Sequence, residues 1–222
     1  MKLKTQLLVL VVGIGVAMSC DAVGQDAEAD ALVEQLGGQA LKVPMKTRGL
    51  STRGLTSVAP PKTETRSVTV TRGIPKKILV AKEDGNVNFK ELSSGGAIEV
   101  NYSVDPDSKV TRDNILFRKG SDEFADSSSV SVVTKLAVAL TNKKLKSFRY
   151  AVEGHASAEG SDYANQALSQ RRAEKIVSVL MDYGVNSSRL VPVGFGESKA
   201  NHPEYASEHL LKQDRRVVIF RL

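Results

Sequence analysis

From Asn114 to Leu222 the apolar residues switch repeatedly between a two-residue and a roughly 3.6-residue period, which few folds can accommodate. Ile115-Leu116-Phe117 reads as a short apolar strand ended by Gly120. Val130 to Leu140 has helical spacing, with Ser127 to Ser129 as candidate N-caps. Phe148, Tyr150 and Val152 alternate as a strand that stops at Gly154. Ser161 then caps a longer helix in which Leu168, Ala173, Ile176, Val177 and Leu180 form one buried stripe, and Gly184 ends it. Leu190 to Val193 is a third strand, Glu204 to Lys212 a short helix, and Val217 to Phe220 a closing strand. Strands alternating with helices of this length predict one sheet with helices packed on one face, a compact α/β or α+β fold. The chain has no tryptophan and only 5% aromatic residues, so its core rests on Val, Leu, Ile and Ala.

The first 113 residues follow other rules. Lys2 and Lys4 precede an uncharged apolar run from Leu7 to Met18, then Ser19, Cys20 and the polar Asp21, which is the layout of an export signal over residues 1–19. The run is too short to span a bilayer comfortably, which takes about 20 apolar residues. Cys20 is the only cysteine, so no intramolecular disulfide can form. A lone thiol after a signal core resembles the lipidation site of bacterial lipoproteins, which would anchor the chain to a membrane through Cys20. An ordinary signal cut after Ala17-Met18-Ser19 would also leave Cys20 first. The expected location is the envelope, as an outer-membrane lipoprotein facing the periplasm. Asp21 keeps inner-membrane retention open.

Residues 20–66 are expected to form a lipidated, disordered tether, with a short helix from Gln25 to Gln35 before Gly37-Gly38, Pro44 and Pro60-Pro61. About 45 flexible residues have an r.m.s. reach of ~35–40 Å. Thr-Arg-Gly plus an aliphatic residue recurs at Thr47–Leu50, Thr52–Leu55 and Thr71–Ile74, too unevenly for a solenoid and as expected of a solvated spacer. Residues 67–100 read as a linker with short strands at Ser67–Val70 and Lys77–Val80 and a turn at Gly95-Gly96. Ile98, Val100, Tyr102 and Val104 alternate as a half-buried strand. The net charge of +6 suits anionic wall polymers or lipid without specifying either. Basic and aromatic residues do not interleave as single-stranded nucleic acid requires, so no nucleic-acid partner is expected.

Five blocks carry a family pattern. Glu153-Gly154-His155-Ala156-Ser157-Ala158-Glu159-Gly160-Ser161-Asp162 leads into Asn165-Gln166-Ala167-Leu168-Ser169-Gln170-Arg171-Arg172-Ala173. Tyr183-Gly184-Val185, Gly194-Phe195-Gly196-Glu197 and Asp214-Arg215-Arg216-Val217 follow in order. Together they resemble the OmpA C-terminal-like family, of the peptidoglycan-associated lipoprotein type, over residues 101–222. The resemblance implies an α+β (α/β sandwich) fold of β-α-β-α-β type that holds the stem peptide of peptidoglycan non-covalently, through its diaminopimelate. That side chain offers carboxylates and an ammonium. A guanidinium can clamp a carboxylate with two parallel hydrogen bonds, helix-start N–H groups add donors, and an acid completes the match.

Carried over by position, the arginine is Arg172 and the aspartate, fifteen residues earlier, is Ser157. Asn165 belongs to the same block, and Arg215 or Arg216 is expected near the groove. The usual Thr-Asp after Gly-His is therefore Ala156-Ser157 in this chain, and losing a charge-assisted hydrogen bond costs ~1.5–3 kcal/mol. Glu159 or Asp162 could supply the missing charge. Tyr163-Ala164-Asn165 also moves a tyrosine by one position, about 100° around the helix.

Other chemistry is weakly supported. His155 has no Cys, Asp or second His at ligand spacing, and His202 and His209 are seven residues apart, so no metal or cofactor is expected. Gly-x-Ser-x-Gly is absent. Glu153 and Glu159 could pair for glycan hydrolysis, but that needs a cleft and aromatics to hold sugar. The expected function is therefore binding without catalysis: a tether from membrane to wall. The rival reading is an envelope structural or assembly protein with the same fold, a weak or silent site, and other envelope proteins as partners.

Overall fold

The computed structural model describes residues 22–42, 62–70, 87–91 and 98–222. The leader, Cys20, the three Thr-Arg-Gly segments, the Lys77–Val80 strand and the Gly95-Gly96 turn lie outside the described residues.

The elements run in the order α1 (Ala22–Lys42), β1 (Glu64–Val70), β2 (Val87–Glu91), β3 (Ile98–Arg112), α2 (Ser127–Thr141), β4 (Tyr150–Gly154), α3 (Asp162–Asp182), β5 (Leu190–Gly194), α4 (Glu208–Asp214) and β6 (Val217–Arg221). β4 lies between β5, to which it is parallel, and β6, to which it is antiparallel, and β6 pairs antiparallel with the second half of β3. The parallel β4–β5 pair needs a crossover, which α3 supplies. Helices α1, α2 and α3 bury their stripes on one face, where Leu36, Leu136, Leu140, Ile176 and Leu180 meet Tyr150, Val152 and Ile219. The α+β class and the helical face match the sequence-based expectation.

The other face holds a layer that the expectation lacked. β3 outruns β6, and its first half pairs with β1 on one side and β2 on the other. Val68, Val87, Val100, Tyr102 and Val104 from these strands pack on Ala151, Val191, Val193, Val218 and Phe220. With both faces covered, every residue of β4, β5 and β6 is buried. Alternation, the mark of a half-wet strand, is lost there.

Three local details also differ. Ile115–Phe117 forms no regular strand. The segment folds back on itself through Ala125 N–H to the Leu116 carbonyl (2.9 Å), with the Phe117 and Phe124 rings stacked at 5.2 Å. Helix α2 is capped by Asp126, one residue before the predicted serines; its carboxylate accepts from the Ser129 N–H at 2.8 Å. Helix α4 starts at Glu208, because a turn closed by Ala206 N–H on the Pro203 carbonyl occupies the preceding residues.

The N-terminal region departs most from a free tether. Leu32, Val33 and Leu36 of α1 are buried in the main core. Gln35 donates to the Lys109 carbonyl at 2.7 Å, and Arg221 reaches the Gly37 carbonyl at 2.6 Å and Asp105 at 2.5 Å. Gly38 has φ of 51°, where an added Cβ would lie 2.4 Å from the Asp105 carboxylate. The predicted break at Gly37-Gly38 is real, but it lets the helix hug β3.

Candidate functional site

The site begins where α3 meets the ends of β4 and β5. A Cβ on Gly154 would lie 2.3 Å from the Ser169 carbonyl oxygen, and one on Gly194 would lie 2.4 Å from the Gln170 nitrogen. Only glycine permits that approach. Gln170 then accepts from Gly194 N–H at 2.6 Å, and the Ser169 hydroxyl accepts from Gly196 N–H at 2.8 Å. These bonds fix the rotation of α3 and thus the position of Arg172, two residues on.

Arg172 is 6% exposed, although it is a cation on a helix surface. Its Nε donates to the Ser121 carbonyl at 3.0 Å and its Nη2 to the Arg118 carbonyl at 3.3 Å. The guanidinium lies 5.0 Å from the Phe117 ring centroid, a cation–π contact. Among the described residues no carboxylate stands within ion-pairing distance of it. Burial, followed by repulsion from Arg215 and Arg171, pulls its pKa down to about 10. Such a desolvated cation gains from an incoming anion.

The loop before α3 supplies the opposite wall. Gly160 takes φ of 99°, and Ser161 caps the helix by accepting from Ala164 N–H at 3.3 Å. Asn165 donates back to the carbonyls of Ser157 (3.2 Å) and Glu159 (2.9 Å), and to the Glu197 carboxylate. Ser157 is buried, and its hydroxyl donates to Glu159 Oε2 at 3.3 Å. Arg215 donates to that same oxygen at 3.1 Å and grips Glu208 with its other nitrogen.

Arg172, Ser157, Glu159, Asn165 and Arg215 thus line one groove of about 500 Å³, together with Leu168. Arg216 lies outside it, in an adjoining inner cavity of about 380 Å³, tied to Asp214 at 3.5 Å and to the Lys199 carbonyl at 3.1 Å. Phe117, Arg172, Glu208 and Arg215 border both spaces. Asp162 does not join the cluster; it faces a separate cavity with Tyr163 and Glu197. Leu168, read from sequence as core, is a groove wall, because it lies one turn before Arg172 on the same side of α3. Lys119 and Glu208 also border the groove and had no signal in the sequence beyond their charge.

The remaining polar candidates serve the fold. Glu153 is fully buried, accepting from Arg66 at 2.8 Å and from the Tyr102 hydroxyl at 2.6 Å. That commitment removes it from any carboxylate pair with Glu159. His155 stacks on Phe195 with ring centroids 5.3 Å apart, and its Nε2 lies 3.5 Å from Glu153 without hydrogen-bond geometry. Among the described residues no group of three or more side chains is placed to hold a metal ion.

The chain thus carries an α+β domain, covered on both faces of its main sheet, with a cationic groove walled by its crossover helix. Residues 116–209 match the OmpA family, so the C-terminal half of the chain carries an OmpA-family domain. Over 48 residues the chain is 50% identical to outer membrane porin F of Pseudomonas fluorescens, covering 22% of this chain and 15% of the porin. Over 58 residues it is 45% identical to outer membrane porin F of Pseudomonas aeruginosa, covering 26% of this chain and 17% of the porin. The matches therefore span under a fifth of these relatives. A similar solved structure is the peptidoglycan-associated lipoprotein of Burkholderia pseudomallei, 23% identical with a TM-score of 0.43, covering 49% of this chain and 88% of that one.

Proposed function

We propose that this domain binds peptidoglycan non-covalently through the diaminopimelate of the stem peptide, tying a bacterial membrane to the cell wall from the periplasmic side. The membrane end of that link is a lipid on Cys20, most simply in the outer membrane. The observation that carries the reading is Arg172: a buried guanidinium with two carbonyl partners, no carboxylate in ion-pairing distance among the described residues, and a groove in front of it. A ligand carboxylate there would gain charge-assisted hydrogen bonds in a partly desolvated site.

Glu159 takes the part of the missing aspartate. Its Oε2 is fixed by Ser157 and Arg215, which orients the carboxylate over the Ser157 position and leaves Oε1 for a ligand ammonium. The same ion pair favours a second reading, in which Arg215 neutralises the one acid beside Ser157 and the site is weak.

Sedimentation with isolated sacculi decides between them, using protein without residues 1–20. Wild type should pellet with the wall and Arg172→Lys should stay largely in the supernatant, since lysine cannot copy the fork. Wild type that stays soluble while Ser157→Asp pellets would establish the weak site and refute the first reading.

A further inference from the structure

Arg172 borders two spaces, and the diaminopimelate reading uses only one of them. The inner cavity has an apolar floor of Ile115, Leu116, Phe117 and Val217. It opens to the surface past Lys212 and Arg216, which also border the next depression, of about 610 Å³. Arg216 is committed to Asp214 and the Lys199 carbonyl. Lys212 is exposed, and among the described residues no carboxylate stands within ion-pairing distance of it. The continuation of the groove is thus a cavity with an apolar floor and a charged rim, where the Lys212 ammonium stands one turn along α4 from Glu208.

The chemistry that fits is a short methyl-bearing peptide arm ending in a carboxylate. A stem peptide continues beyond diaminopimelate through D-alanine to a free carboxyl terminus, and each added residue extends it by ~3.3–3.6 Å. We propose that the inner cavity is a subsite for this alanyl arm, with the methyl group on the Leu116–Phe117 floor and the terminal carboxylate at Lys212. The domain then reads the length and free end of the stem as well as its diaminopimelate. This inference rests on the peptidoglycan reading above.

The test is calorimetric titration of the full chain, held in detergent micelles, with three defined muropeptides. One stem ends at diaminopimelate, one ends at the following D-alanine, and the third is that tetrapeptide with its terminal carboxyl amidated. The free tetrapeptide should bind about tenfold more tightly than the tripeptide, the scale of one charge-assisted hydrogen bond. Amidation should remove the gain. Lys212→Ala should close the gap while leaving tripeptide affinity in place. The amidated ligand keeps the test independent of how any variant folds. Equal affinity for tripeptide and tetrapeptide in wild type, or a gap that survives Lys212→Ala, overturns the subsite and leaves diaminopimelate binding standing. Failure of all three ligands to bind overturns both.

Discussion

The Glu159 carboxylate lies 3.1 Å from Arg215 at the mouth of the groove, on the same oxygen that accepts the Ser157 hydroxyl. Both partners are partly exposed, with side chains 39% and 27% accessible, so solvent screens the pair and it stabilises the fold by at most about 1 kcal/mol. Its effect should appear in binding. Glu159→Gln is expected to leave the melting temperature nearly unchanged while weakening sacculus binding about tenfold or more. Retention of full binding would show that the ligand ammonium, if engaged, is held elsewhere.

Arg189 is a structural clamp. It donates to the carbonyls of Phe148 (2.9 Å), Leu140 (3.0 Å) and Leu145 (2.7 Å), joining the end of α2 to the start of β4. A planar fork can reach all three acceptors, and an ammonium cannot. Arg189→Ala should cost about 2–3 kcal/mol in urea denaturation, and Arg189→Lys should recover little of it. Full recovery by lysine would mean that charge alone matters there.

Arg66 and Glu153 link the added layer to the main sheet. Removing the arginine strands a fully buried carboxylate, so Arg66→Ala should destabilise by about 3–5 kcal/mol. The double variant Arg66→Ala/Glu153→Gln should recover part of that loss, because no uncompensated charge remains. Equal stability of Arg66→Ala and wild type would show that the Arg66–Glu153 ion pair adds nothing net to the fold.

His155 sets an acid limit on stability. Burial pushes its pKa below the ordinary value of 6.5, outweighing the pull of Glu153. Above pH 6.5 the ring is neutral in folded and unfolded chains alike. Below it the unfolded chain takes up the proton first, so stability falls as pH drops from 6.5 toward the folded value. His155→Phe, which keeps the stack on Phe195, should flatten that part of the stability profile. An unchanged slope would assign the acid sensitivity to other groups.

Legibility from sequence followed the range of the interactions. Ser161, the α3 stripe and Gly184 were readable because capping and periodicity act within a few residues, and they place Arg172 almost unaided. The joint placement of Glu159, Asn165 and Arg172 followed from family-patterned blocks in that helix and in the loop before it. By contrast β1 and β2 are short, and their pairing with β3 is long-range, so their register had no local signal. A short helix from Gln25 to Gln35 was readable, but the burial of Leu32, Val33 and Leu36 was not, because their partner surface is formed by residues more than seventy positions away. Asp162 looked like a substitute acid from spacing alone; the turn at Gly160 and the start of α3 point it to the other side of the loop.

The docking of α1 also shortens the leash. Cys20 precedes Ala22 by two residues, and two residues span at most about 7 Å. A lipid on Cys20 would therefore hold the domain directly against its membrane. Contact with the wall would then depend on how closely the wall approaches the bilayer, making the protein a gauge of that spacing and not a line cast across it.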